Sequence, residues 1–303
     1  MTDHSPTSSG AASYVGRFAP SPTGPLHMGS LIAALASYLD ARSQKGRWLL
    51  RMEDLDPPRE PAGAADTILR QLDELHLHWD GEVLYQSQRH AAYREALARL
   101  SSAGHTFACT CTRKRLRSLD SVYDGHCRTR TDLGEKKHAV RLRVTPGSLA
   151  FTDRIQGQFQ QQLDTEVGDF VVRRKDGLFA YQLAVVVDDA FQHVTDIVRG
   201  YDLLDSTPRQ LYLQGLLGYP RPHYAHIPVI VNSRGEKLSK QRFAEPINVE
   251  NGARLLLEAL RFLGQRPPAE LAGADCPTLL AWATEHWDIQ AVPKLANIPE
   301  IAG

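Results

Sequence analysis

The chain has 303 residues, 42% hydrophobic and 23% charged, and its 35 basic and 35 acidic side chains leave no net charge. That length supports about two domains around a real core, and the zero balance argues against a general electrostatic grip on nucleic acid without excluding a local basic patch. No apolar run approaches the ~20 residues needed to cross a bilayer, and Met1 to Ala12 lacks the basic start and apolar stretch of a signal peptide, so no membrane partner and a disordered tail over 1–13 are expected.

Tyr14 to Ala19 reads as a short strand, followed by a turn rich in proline and glycine. Leu31, Ile32, Leu35, Tyr38 and Leu39 then recur at helical spacing and predict a helix over about 28–43. Arg47 to Met52 has the apolar centre of a strand in a buried parallel sheet. Helical stretches at roughly 61–76 and 89–103 complete a strand–helix–strand–helix order, which is that of a doubly wound, Rossmann-like α/β domain. Its first half is set at 14–104.

The rhythm breaks at 105. Residues 105–168 carry three cysteines, a basic stretch and short alternating runs such as Ala139 to Val144, and are read as an inserted, strand-rich subdomain. The second half of the α/β domain, 169–245, holds Asp169 to Arg173, a helical or mixed stretch from Ala180 to Asp189, and a strand from His193 to Val198. A helix over 206–217, a strand from Ile227 to Val231 and the loop Lys237-Leu238-Ser239-Lys240-Gln241 follow. Residues 246–303 are expected to be helical, beginning with Ala253 to Leu263.

Ligands of open α/β sheets bind at the carboxyl ends of strands, where a helix start offers free N–H groups to anions. The segment Pro20-Ser21-Pro22-Thr23-Gly24-Pro25-Leu26-His27-Met28-Gly29-Ser30 occupies such a junction. Gly24 and Gly29 remove side chains where the backbone must turn or admit a flat base, and His27 sits where it can donate to a phosphate oxygen. Lys237 and Lys240 can neutralise the charge that develops as a polyphosphate departs. Alone, each motif is matched by a blander reading: an ordinary turn with an incidental histidine, or a solvated basic loop. Together, in this order on an α/β chain, they point to ATP chemistry.

These residues carry a family resemblance. The segment from Pro20 to Ser30 resembles the HIGH region of class I aminoacyl-tRNA synthetases of the glutamyl/glutaminyl branch, and Lys237 to Gln241 resembles their KMSKS loop. The resemblance runs from about Gly16 to Gln241. Two departures stand out: Ser30 replaces the second histidine of HIGH, and Gln241 replaces the last serine of KMSKS. The resemblance implies that His27 and Lys240 are catalytic, and that His27, Gly29, Ser30, Lys237 and Lys240 bind ATP, with magnesium accompanying that substrate.

It further implies an amino-acid pocket formed by Arg17, Phe18, Ala19, Pro20 and Ser21 on the first strand and its end, Glu53 after the second strand, Tyr181 and Arg199. An amino-acid substrate needs a carboxylate for its ammonium and, if acidic, an arginine fork for its side chain. The resemblance implies L-glutamate as the substrate. A neutral side chain would leave the buried polar groups of these residues unpaired. Structural salt bridges at Glu53 and Arg199 and a core tyrosine at Tyr181 are the alternatives. Asp188, Asp189 and Asp202 are further candidates for magnesium or ribose.

Cys109, Cys111 and Cys127 fall within nineteen residues, and Cys276 stands alone. The pattern is no disulfide framework and suits the reducing cytosol. Three soft ligands suggest one structural zinc ion, and spacing alone offers His105, His126 or Tyr123 as the fourth. The resembled family carries Cys-x-Cys…Tyr-x3-Cys, which implies Tyr123. Reduced cysteines in an apolar cluster are the alternative.

Only about sixty residues follow the second motif, whereas a full glutamyl-tRNA synthetase continues into a domain that reads the anticodon. The resemblance is therefore to a shortened branch that activates glutamate and transfers it to queuosine in the anticodon of tRNA(Asp), expected here as a cytoplasmic monomer. Arg113, Lys114, Arg115, Arg117, Arg128 and Arg130 are candidates to touch RNA phosphates. Two other readings stay open: a truncated glutamyl-tRNA synthetase charging a tRNA 3′ end, and a non-catalytic adenylate-binding regulator.

Overall fold

The computed structural model describes residues 13–119, 122–130, 137–232 and 245–299. β1 (Val15–Phe18) leads through the Pro/Gly turn into α1 (Met28–Ser43), and β2 (Arg47–Met52) returns beside β1 in parallel, with Val15 opposite Arg47 and Phe18 opposite Leu50. This is the right-handed logic of a strand–helix–strand crossover. α1 keeps the expected bounds because its ends are marked locally. His27 caps the start, and beyond the end Lys45 adopts a positive φ of 52° that the helix cannot continue through. α2 (Ala64–Glu74) starts later than expected because Gly63, at φ 78°, breaks the first turn. β3 (Leu84–Tyr85) adds to β2 in parallel, and α3 (His90–Ser102) follows.

The insertion is built differently. β4 (Thr106–Cys109), the short α4 (Arg113–Arg117) and β5 (Ala139–Leu142) are followed by a hairpin of β6 (Ser148–Asp153) and β7 (Gly157–Gln162), then β8 (Phe170–Arg173). β5 pairs antiparallel with both β4 and β8. β8, assigned to the second half of the α/β domain, thus shares a sheet with the expected insertion. The β6 end of the hairpin joins the central sheet instead, placing Asp153 opposite Tyr224.

The α/β order resumes with α5 (Tyr181–Phe191), β9 (Asp196–Gly200), α6 (Thr207–Leu217) and β10 (His223–Ile227), with β9 and β10 parallel. β9 begins three residues after the expected start because His193 has φ 56°. The expected strand over 227–231 is two strands, β10 and β11 (Val229–Val231). Pro228 lies between them and lacks the N–H that a continuous ladder needs. Last come α7 (Gly252–Phe262), α8 (Cys276–Glu285) and β12 (Asn297–Pro299), which pairs in parallel with β11.

Just before β9, the Thr195 N–H donates to Val15 O of β1 at 2.9 Å. The strands therefore run β3-β2-β1-β9-β10 in space, and their order reverses between β1 and β9. In open α/β sheets that reversal opens a crevice at the carboxyl ends of the strands. α1 lies over it, buried on nearly all sides between the sheet and α7 and α8. Trp48 is fully buried beneath α1 and satisfies its indole by donating to Ser37 Oγ at 2.9 Å. A second apolar core lies under α3, α5 and α6. None of the described helices is long and apolar enough to cross a membrane.

Candidate functional site

A cavity of about 510 Å³ opens at the ends of β1, β9 and β10, lined by Phe18, Ala19, Pro20, Ser21, His27, Gly29 and Ser30 from the first motif and by Gly200, Asp202 and Ile227 to Ile230 across the reversal. Gly200 lets the Asp202 carboxylate lie close to the backbone: a Cβ there would come within 2.5 Å of Asp202 Oδ1, so that side chain would have to move. Gly24 turns the chain at φ 148°. A cavity of about 240 Å³ adjoins, sharing Ser21 and Thr23 and lined also by Glu53 and Tyr181.

His27 is the N-cap of α1. Its Nδ1 accepts the Ser30 N–H at 3.3 Å, while Ser30 Oγ accepts the His27 N–H at 2.8 Å and donates back to His27 O at 2.7 Å. With Nδ1 acting as acceptor, the neutral ring carries its proton on Nε2. Ser30, at the position of the second HIGH histidine, thus spends its hydroxyl on a reciprocal cap.

The smaller cavity is backed by buried charge. Arg17 Nε donates to Asp189 Oδ1 at 3.3 Å, and Arg51 Nη2 reaches the same oxygen at 2.8 Å and Glu53 Oε1 at 3.5 Å. The Glu53 N–H donates to Pro20 O at 2.9 Å, tying the end of β2 to the turn. Among the described residues the long contact to Arg51 is the sole hydrogen bond to the Glu53 carboxylate. Burial pushes Glu53 above the ordinary carboxylate range against the pull of Arg51 and Arg17. Asp189 is equally buried, yet the two arginines hold its carboxyl below that range. Asp188 faces the other way, accepting from Gln86 at 2.8 Å, Tyr93 at 2.5 Å and Arg89 at 3.1 Å. Both carboxylates are thus turned into the protein rather than toward magnesium or ribose. Asp202 lines the larger cavity.

Arg199, on β9, is only 4% exposed and makes no ion pair among the described residues. Its donors go to neutral acceptors: Nε to His226 Nε2 at 3.0 Å, Nη1 to Gln210 at 2.8 Å and to Tyr181 Oη at 3.4 Å, and Nη2 to Thr207 at 2.8 Å and to Leu203 O at 3.3 Å. Burial raises the Tyr181 phenol, with Arg199 pulling against it. His226 is fully buried, with Nδ1 2.6 Å from Asp153 Oδ2. Burial lowers its pKa to about 4, although Asp153 pulls the other way and Arg199 adds to the depression. The ring is therefore neutral, donating from Nδ1 to Asp153 and accepting at Nε2. Arg17 and Arg199 stand behind the cavity walls rather than lining them.

Of the expected site residues, Lys237 and Lys240 lie outside the described residues. Sequence reasoning missed Arg51, Asp153 and His226, and left Asp189 as a metal or ribose candidate. The available signals were a charged residue inside the apolar run RWLLRM and two aspartates inside the apolar helix YQLAVVVDDAF.

In the insertion, the Cys109, Cys111 and Cys127 sulfurs lie within 4.8 Å of one another and form no disulfide. Tyr123 Oη is 3.5 Å from the sulfurs of both Cys109 and Cys111, and Cys111 Sγ is 3.6 Å from Cys127 Sγ. Tetrahedral zinc, with bonds of about 2.3 Å to sulfur and 2.0 Å to oxygen, separates its ligands by roughly 3.5–3.8 Å, so the donor set fits that ion. His126 is exposed and outside the group. Burial alone would raise the Cys127 thiol. Hydrogen bonds from Tyr123 and the Thr110 backbone help bring it down to about 7, toward the thiolate form that binds metal. Of the basic residues considered for RNA, Arg115 is paired with Asp124 and Arg128 with Asp169.

Residues 14–255 match the family model of class I tRNA synthetases (E and Q), catalytic domain. The chain is 56% identical over 287 residues to the glutamyl-Q tRNA(Asp) synthetase of Ectopseudomonas mendocina (strain ymp), covering 95% of this chain and 97% of that protein. It is 55% identical over 291 residues to the protein of the same name from Pseudomonas aeruginosa PAO1, covering 95% and 98%. Among solved structures, the glutamate tRNA ligase of Elizabethkingia meningosepticum in complex with its amino acid superposes with a TM-score of 0.77 at 23% identity, over 95% of this chain and 67% of that one.

Proposed function

The chain belongs to the class I tRNA synthetases of the E and Q type, and from that premise we propose that it activates L-glutamate with ATP and passes the glutamyl group to queuosine in the anticodon of tRNA(Asp). The glutamate α-carboxylate attacks the α-phosphorus of ATP and pyrophosphate leaves. A hydroxyl of the queuosine ring then attacks the activated carbonyl, losing its proton as AMP departs. The acceptor is that of the relatives' name.

The observation that carries the glutamate reading is Arg199: a buried guanidinium whose hydrogen-bond acceptors, among the described residues, are all neutral. Such a charge is costly until an anion arrives, and a substrate carboxylate meets that need. Glu53, buried with one long hydrogen bond, is the complementary acceptor for the ammonium group. Arg17 and Tyr181 complete the amino-acid side, with Phe18, Ala19, Pro20 and Ser21 as the wall shared with ATP. His27 donates from Nε2 to a phosphate oxygen, Gly29 lets the nucleotide approach, and Lys237 and Lys240 neutralise the leaving pyrophosphate, to which magnesium is bound. Ser30 contributes through the cap of His27.

Zinc held by Cys109, Cys111, Cys127 and Tyr123 cross-links an insertion whose own buried apolar cluster is small. The division into a 1–13 tail, two α/β halves at 14–104 and 169–245, an insertion at 105–168 and a C-terminal region at 246–303 completes the proposal, together with a monomer in the cytosol.

Glutamate-dependent ATP–pyrophosphate exchange without tRNA tests the activation step. Charging of queuosine-containing tRNA(Asp), against queuosine-free tRNA(Asp) and tRNA(Glu), tests the acceptor, and preference for tRNA(Glu) would overturn it. Metal analysis of the native protein is expected to find one zinc per chain, with chelation lowering the thermal midpoint. Stability unchanged by chelation would remove the structural role.

A further inference from the structure

We infer that His226 and Asp153 are positioning residues that set the Arg199 guanidinium for the substrate while leaving its charge available. The inference rests on the reading of Arg199 as part of the glutamate site. Arg199 lies on β9 and its Nη1 reaches Tyr181, which lines the cavity holding Glu53. The rotation of a guanidinium about its stem is fixed by where Nε–H points, and here it points at His226 Nε2, 3.0 Å away.

That acceptor exists only while the ring is neutral and protonated on Nδ1. Burial secures the first condition, against the pull of Asp153, and Asp153 secures the second by accepting from Nδ1. Its Oδ2 lies 2.6 Å from Nδ1, and its Oδ1 accepts the His226 backbone N–H at 3.1 Å and two further backbone N–H groups, from Ile155 and Gln156, at 3.0 and 2.9 Å. The aspartate is thus locked by the turn after β6, and the β6–β10 pairing brings it to the histidine.

Charge explains why an imidazole stands between the two. A carboxylate placed directly on Arg199 would form a closed ion pair, as Asp189 does with Arg17 and Arg51, and compete with the substrate. A neutral ring relays orientation without supplying a counter-charge. The hairpin of the insertion thereby reaches the amino-acid side of the site through one hydrogen-bonded line, Asp153–His226–Arg199–Tyr181. A charge-assisted hydrogen bond of this kind also costs more to lose than a neutral one.

The test is glutamate-dependent ATP–pyrophosphate exchange by the full chain, with KM for glutamate and ATP measured separately. His226→Ala is expected to raise the glutamate KM about tenfold or more with the ATP KM unchanged. Asp153→Asn should raise it severalfold. His226→Gln, whose amide can both accept from Arg199 and donate to Asp153, should recover most of the loss and guards against a folding defect in the alanine variant. Combined with Arg199→Ala, His226→Ala should add no further change, because it acts through Arg199. An additive double variant, or equal rises in both KM values, overturns the positioning role. If Arg199→Ala itself leaves the glutamate KM untouched, the reading of Arg199 fails instead. No glutamate-dependent exchange by the unaltered chain would sink the proposed activity.

Discussion

The neighbouring strands β1 and β9 lie close to two buried arginine systems that are neutralised in opposite ways. Beside β1, Arg17 and Arg51 share Asp189, and Arg51 also touches Glu53, so two cations meet two carboxylates. On β9, Arg199 is just as buried and, among the described residues, meets only neutral acceptors. In the first arrangement Asp189 closes the charges of both arginines within the protein, so Arg17 backs the amino-acid side without a charge to spare, while Glu53 keeps acceptor capacity for the substrate. The second leaves a positive charge for something from outside. Burial alone does not tell a structural arginine from a binding one; the charge balance of its partners does.

The sharpest way to break this contrast is Asp189→Ala. It leaves Arg17 and Arg51 buried without their shared counter-charge, and about 3–5 kcal/mol of unfolding free energy should be lost, measured by denaturant titration. A loss below about 1 kcal/mol would show that the paired system is not a fold element. Arg199→Met tests the other side. The glutamate KM should rise on the order of 100-fold, while the unfolding free energy stays within about 1 kcal/mol, because no carboxylate is orphaned. A large stability loss there would erase the distinction.

Acid sharpens the comparison further. The folded-state pKa of His226 is about 4, below its ordinary value near 6.5, so the unfolded chain takes up a proton that the folded chain refuses. Stability should therefore fall as the pH drops from about 6.5 toward 4. The depressed carboxyl of Asp153 adds in the same direction. His226→Gln should flatten the part of the denaturation midpoint's pH dependence that lies above pH 5. An unchanged slope would mean that the imidazole is charged in the folded protein.

The smallest effect is expected at Glu53. Its carboxyl is raised by burial, so ionisation at neutral pH costs the fold stability. Glu53→Gln should gain a few tenths to about 1 kcal/mol at pH 7–8 while depressing glutamate-dependent exchange. Stability gained with exchange intact would move Glu53 out of the site.

How far the chain could be read in advance follows the range of the signals. α1 and β2 were legible to the residue, because helical spacing and an apolar run are local and their ends carry their own markers. The cysteine group and the HIGH turn were equally plain. Arg51 was not, since the feature that defines it is a partner 138 positions away on α5. The same holds for Asp153 and His226, which meet only because a hairpin of the insertion pairs with β10. The break at Pro228 was visible in the residue itself but outweighed by the apolar letters around it. Charge pairs and sheet partners across long loops are properties of the assembled fold, and no spacing rule encodes them.

The reciprocal cap between His27 and Ser30 has a dynamic consequence. The first turn of a helix is where fraying begins, and here one of the bonds of that turn, from the Ser30 N–H to Nδ1, also holds the imidazole. Opening that turn therefore also releases the ring. Amide hydrogen exchange at Ser30, whose N–H is shared between His27 O at 2.9 Å and the His27 ring at 3.3 Å, would report that opening.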